Sequence, residues 1–123
     1  MAAVNVTGEE FEKAIEKDGI VFVDFWADWC GPCKMFAPIF EAASKQHTDI
    51  SFLKVDTEAE QELASAAQIT SIPTLMAFRD GILVFRQPGA LPGPNFEELI
   101  AAVRNINMEE VRAEIARQKS AQD

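Results

Sequence analysis

The chain has 123 residues, 48% of them hydrophobic and 25% charged, with a net charge of −9. That length suits one domain with one core, and that composition excludes a disordered chain and one dependent on disulfide staples. The negative charge repels phosphate backbones, no basic patch offsets it, and no apolar run approaches a membrane span, so neither nucleic acid nor a bilayer is an expected partner.

The opening, MAAVNVTGEEF, lacks the basic and apolar regions of a secretory signal, so a cytoplasmic location is expected. Thr7 and Glu10 have the spacing of a capping box, and Phe11, Ala14 and Ile15 share one face of a helix that Asp18-Gly19 should end. Ile20 to Trp26 is a continuous β-prone apolar run broken only by Asp24, the pattern of a central strand covered on both faces. A carboxylate in such a run is costly unless it has a function. Trp26 reads as core packing, whereas Trp29 sits at the turn that follows.

A long helix comes next, with Pro32 in its first turn, where no N–H partner is needed, and an end near His47, where a cation is mildly favoured. Pro38 should kink it by removing an internal hydrogen bond, and Met35, Phe36, Ile39 and Phe40 are its expected core face. Residues 50–55 read as a strand and 58–68 as a helix with Leu63 and several alanines turned inward. This β-α-β-α order predicts parallel pairing with helices on both faces. After Ser71-Ile72-Pro73 the pattern changes to two short strands, 74–79 and 82–87, joined by the hairpin signal Asp80-Gly81, so the sheet is expected to be mixed. The Pro/Gly loop PGALPGP leads into a helix with Phe96, Leu99, Ile100 and Val103 at helical spacing. Asn107 and Glu110 offer a second capping box, and Met108, Val111 and Ile115 a narrow apolar stripe, so the tail is read as a helix that either docks or frays.

The only two cysteines stand in Cys30-Gly31-Pro32-Cys33. The first falls where a strand ends and a helix begins, facing unpaired N–H groups and the positive end of the helix dipole, both of which favour thiolate. The spacing lets Cys33 reach Cys30 without unfolding anything. A purely structural bridge is disfavoured because so short a loop removes little chain entropy. A zinc site fails on ligand count, since two cysteines and the distant His47 fall short of about four ligands unless two chains share the ion.

The segment VDFWADWCGPCK closely resembles the active-site stretch of the thioredoxin family, and PIF, FLKVDTE, SIPTLMAF and RDGILVFRQPGA follow in the family's order. The resemblance covers about residues 3–106. It implies an α/β thioredoxin fold, a mixed central β-sheet flanked by helices, as a domain over 1–106, with a short helical extension over 107–123. It also implies a protein-disulfide reductase that needs no cofactor or metal. By position, Cys30 resembles the exposed attacking cysteine and Cys33 the buried resolving one; Asp24 matches a buried aspartate, Lys54 the lysine near it, and Pro73 a cis-proline. Trp29, Gly31, Pro32, Ile72, Pro73 and Gly89 match the substrate-binding surface, with Ile72 offering backbone groups to an extended client segment.

Burial raises an acid's pKa toward neutrality, which would let Asp24 take a proton from Cys33, through water; a merely satisfied structural carboxylate is the alternative. Lys54 would oppose that rise, or else simply face solvent. Partners implied by the family are disulfide-containing client proteins and a NADPH-dependent flavoprotein thioredoxin reductase, with the chain itself a monomer. Pro88 departs from the family, which commonly has valine there, and removes one backbone donor beside Gly89. Two rival functions remain at this level: an oxidase or isomerase running the exchange in the other direction, and a non-redox binding or scaffold subunit.

Overall fold

The structure, a computed structural model, describes residues 2–122. Strand β1 (Val4–Asn5) precedes helix α1 (Gly8–Ile15), strand β2 (Ile20–Trp26), helix α2 (Gly31–Gln46) and strand β3 (Ser51–Asp56). Helix α3 (Gln61–Ala66), the hairpin β4 (Thr74–Arg79) and β5 (Ile82–Pro88), and helices α4 (Gly93–Arg104) and α5 (Met108–Gln122) complete it. The sheet order is β1-β3-β2-β4-β5, with β1, β3 and β2 parallel and β4 and β5 antiparallel to their neighbours. This is the mixed α/β sheet of the thioredoxin fold, and β2 is its central strand.

Alternation along β2 divides the core in two. Phe22, with Phe52 from β3 and Leu75 and Ala77 from β4, packs under α2 and α4 against Phe36, Phe40, Phe96, Ile100 and Val103. Val21, Val23 and Phe25 face the other way, onto Phe11 of α1, Leu53, Val55, Met76 and Phe78. Asp24 has the parity of Phe22, so its side chain lies on the α2 side of the sheet. Phe96 anchors the first layer: its ring centroid lies 5.4 Å from those of Phe22 and Phe36 and 5.9 Å from that of Phe40.

Local chemistry explains most boundaries. Thr7 and Glu10 form a reciprocal cap, Thr7 Oγ1 accepting from Glu10 N–H at 3.2 Å and Glu10 Oε1 from Thr7 N–H at 2.9 Å. The β4–β5 turn places Asp80 and Gly81 at φ 53° and 83°, the double positive φ that a tight two-residue hairpin requires. Pro38 lies inside α2, which stays helical on both sides of it.

Several elements differ from the sequence expectation. Helix α1 stops at Ile15, before Asp18-Gly19; Gly19, at φ 96°, instead turns the chain into β2, and its N–H donates to Asp80 Oδ1 at 2.8 Å. Strand β3 is shifted one residue, to Ser51–Asp56. Helix α3 has six residues rather than the expected run over 58–68. Asp56 Oδ1 engages the N–H groups of Glu58 and Ala59 at 2.9 and 3.4 Å, holding that stretch in a turn. At its other end Gln68 has φ 56°, and Arg86 donates to the carbonyls of Ala67 and Gln68, both at 2.6 Å. Met35, expected in the core, is exposed, because Phe36 and Phe40 define the buried face of α2 and Met35 is turned away from it. The two-residue β1, paired in parallel with Leu53 and Lys54, carries no pattern that a sequence could reveal.

Helix α5 forms and is docked at its start. Met108 is buried, and Asn107 Oδ1 accepts from Glu110 N–H at 3.2 Å. Arg79 donates to the carbonyls of Val103, Arg104 and Ile106, at 2.9, 3.0 and 2.8 Å, fixing the turn between α4 and α5. Arg112 reaches Asp80 Oδ2 at 3.4 Å. These anchors lie beside Ile20, at the opposite end of β2 from Trp26. No helix among the described residues is long and apolar enough to cross a membrane.

Truncating the central ring of the α2 and α4 layer opens a cavity that its neighbours only partly fill. Phe96→Ala is expected to lower unfolding stability by about 3–5 kcal/mol. Urea titration should show this as a lower midpoint with an unchanged slope.

Candidate active site

Strand β2 ends at Trp26 and the chain turns through Ala27, Asp28 and Trp29 into Cys30, the N-cap of α2. Cys30 has extended backbone, φ −90° and ψ 111°, and its sulfur accepts from Cys33 N–H at 3.2 Å. Gly31 and Pro32 occupy the first helical positions, and Lys34 N–H donates to the Cys30 carbonyl at 3.2 Å. Cys30 and Cys33 form a disulfide with 5.2 Å between their Cα atoms. The Cys30 sulfur thus stands at the N-terminus of α2.

Exposure of the two cysteines differs from expectation. Cys30, read as the exposed partner, retains 4% of its surface and Cys33 3%. Both cysteines lie in a small buried cluster with Ala27, bordered by Trp26 and Ile72. Ile72 lies directly against the pair, its carbonyl oxygen 3.5 Å from Cys30 Sγ.

The Ile72–Pro73 peptide is cis. Neither the N–H nor the C=O of Ile72 is engaged by another backbone group among the described residues. Gly89, at φ 102°, follows Pro88 at the end of β5 and donates its N–H to the Pro73 carbonyl at 2.7 Å. Pro88 itself is paired in register with Thr74. The structure thus brings together Cys30, Cys33, Ile72, Pro73 and Gly89 from three separate segments. Trp29 stands beside them with 69% of its surface exposed. Its Nε1–H donates to Glu58 Oε1 at 2.9 Å, a contact between residues that no local pattern links.

Asp24 lies deeper. It is fully buried and, among the described residues, neither carboxylate oxygen has a hydrogen-bond partner. Burial pushes its pKa up to about 7, against the opposing charge of Lys54, which faces it in the β2–β3 register. The Lys54 ammonium sits 5.0 Å from the ring centroid of Trp26. A cleft of about 280 Å³ lined by Trp26, Asp28, Cys33, Lys34 and Lys54 opens beside Cys33, and Asp24 is not among its lining residues. His47, by contrast, is remote from this site, bonded to Glu97 at 2.8 Å and to Arg104 at 3.0 Å.

The family model described as Thioredoxin matches residues 2–105. The chain is 46% identical over 119 residues to "Putative thioredoxin 2" of Streptomyces coelicolor, a match spanning 97% of this chain and 89% of that relative. It is 40% identical to thioredoxin of Bacillus subtilis, over 81% of this chain and 96% of the relative. Among solved structures, Plasmodium falciparum thioredoxin superimposes with a TM-score of 0.74 at 36% identity, covering 81% of this chain and 97% of its own.

The buried acid makes stability depend on pH. Because the folded state holds the Asp24 proton more tightly than the unfolded chain, whose carboxyl titrates near 3.8, it binds more protons across the interval up to about 7. Stability therefore falls as pH rises through that interval, by roughly 4 kcal/mol from this group. Asp24→Asn is expected to abolish this component and to be the more stable protein above about pH 8, with little difference near pH 4. Urea titrations of both proteins at the two pH values check it.

Proposed function

From its membership of the thioredoxin family, to which this chain belongs as a thiol–disulfide oxidoreductase, we propose a specific division of labour in reducing client disulfides. The single observation carrying it is the Cys30–Cys33 disulfide at the N-terminus of α2, directly beneath the Ile72–Pro73 segment.

In the reduced protein the Cys30 thiolate attacks one sulfur of a client disulfide. A Cys30–client bond forms, the client bond breaks, and the departing client thiolate takes a proton from solvent. Cys33 then loses its proton to Asp24, by way of water, and attacks Cys30. The Cys30–Cys33 bond re-forms, and the second client thiolate leaves with the electron pair and is protonated. Two electrons have passed from the dithiol to the client. A carboxyl with a pKa of about 7 is suited to exchange that proton at neutral pH. Lys54 keeps that value from rising further. The backbone groups of Ile72, which have no backbone partner among the described residues, would pair with an extended client segment as an added strand, while Trp29, Gly31, Pro32, Pro73 and Gly89 supply the rest of the contact surface.

The family implies disulfide-containing substrates and a reductase partner. A NADPH-dependent flavoprotein reductase acting on a monomer in the cytoplasm is the arrangement that would keep such a pair reduced. Pro88 gives the client groove one fewer N–H donor than a non-proline residue would, so it is expected to shift client preference. The proposed domain is residues 1–106, with 107–123 as a C-terminal extension whose start, at Asn107 and Met108, is anchored away from the redox site.

Cys33→Ser leaves the first bond without its resolving thiol. It is expected to accumulate a covalent Cys30–client adduct, readable by mass spectrometry against insulin as a test disulfide, whereas Cys30→Ser forms none. Equilibration of the wild-type pair with a thiol buffer should give a potential near the about −270 mV characteristic of thioredoxins. A value near about −120 mV, that of a strong oxidant, would instead assign disulfide formation.

A further inference from the structure

Trp29 is exposed but not loose. Its indole N–H is held by Glu58 Oε1 at 2.9 Å, and Glu58 stands on a turn with little freedom. Asp56 Oδ1 accepts from Glu58 N–H at 2.9 Å, Glu60 N–H donates to the Asp56 carbonyl at 2.8 Å, and Gln61 Nε2 donates to the Glu58 carbonyl at 3.1 Å. The turn is also fastened to the end of β2, since Thr57 N–H and Thr57 Oγ1 both reach the Trp26 carbonyl, at 2.9 and 3.0 Å. The backbone that carries Glu58 is therefore held at several points, and the bond to its Oε1 sets where the Trp29 indole N–H points.

Glu58 bonds the tryptophan that is 69% exposed and adjoins Cys30. An orientation fixed in advance is what a contact surface gains from such a bond, because the ring then loses less freedom when a partner covers it.

We propose that Glu58 is a positioning residue for client recognition: it locks the Trp29 indole beside the disulfide in the orientation that receives the apolar segment of a protein client. Its effect falls on affinity for protein disulfides rather than on thiol chemistry. The proposal rests on the disulfide-reductase reading above and names a residue that sets which disulfides that site prefers.

The test is single-turnover reduction by the pre-reduced full chain, with insulin as the protein disulfide and 5,5′-dithiobis(2-nitrobenzoate) as the small one. In Glu58→Ala, the insulin concentration for half-saturation is expected to rise about fivefold, the scale of one lost hydrogen bond, with the limiting rate retained. The loss on insulin should exceed that on the small disulfide. Glu58→Gln, which keeps an acceptor oxygen, should recover most of the affinity. The Trp29 indole N–H signal in ¹H–¹⁵N spectra, assigned with Trp29→Phe, should exchange faster with solvent in Glu58→Ala and return toward wild type in Glu58→Gln.

Equal losses on both disulfides, a lower limiting rate at unchanged half-saturation, or no change in either kinetic term would each overturn the proposal. Failure of the wild-type chain to reduce either disulfide is a separate result: it refutes the reductase reading itself and removes the basis of this one.

Discussion

The central position of β2 is the constraint on which the rest depends. Hydrogen-bonded to β3 on one side and β4 on the other, and covered on both faces, it has no solvent-exposed edge and only one way to face its side chains. Its alternation sends Phe22 and Asp24 under α2 and Val21, Val23 and Phe25 toward α1. A slip of one residue would bring Asp24 into the opposite layer and Phe25 beneath the redox helix. The aromatic packing around Phe96 fixes the register that places the acid.

That same strand delivers its C-terminal end to the disulfide. Trp26, Ala27, Cys30 and Cys33 adjoin one another because β2 stops where α2 begins, so the helix N-terminus and the end of the central strand meet at two sulfurs. Two electrostatic influences act on the acid nearby: burial disfavours negative charge on Asp24, and Lys54 partly restores it. The folded state tolerates the buried acid because two aromatic and aliphatic layers stabilise the sheet around it.

The loops around the sulfurs are held by long-range bonds. Gly89 N–H ties β5 to the Pro73 carbonyl, Arg86 caps the end of α3, and Thr57 joins the β3 end to Trp26. A surface made of such segments can be preorganised although it contains little regular structure. Helix α5 belongs to the other end of the molecule, where Arg79 and Asp80 hold it next to the start of β2. Its docking leaves the redox end open.

What the sequence determined by itself was whatever a few consecutive residues can encode. The Thr7–Glu10 cap, the apolar run of β2 with its one carboxylate, the Asp80-Gly81 hairpin and the Cys30-Gly31-Pro32-Cys33 turn each draw on interactions within a handful of positions, where propensity and spacing decide. Tertiary structure decided what depends on a distant partner. Helix α3 is short because Asp56 and Arg86 engage its flanks, Met35 is exposed because Phe36 and Phe40 find the sheet, and β1 exists only through Leu53 and Lys54. Cys30 is buried because Cys33 and Ile72 close over it, and Glu58 meets Trp29 across 29 positions of sequence. Local pattern specifies an element through its own backbone, whereas the surroundings of a side chain are set by where the other elements come to rest.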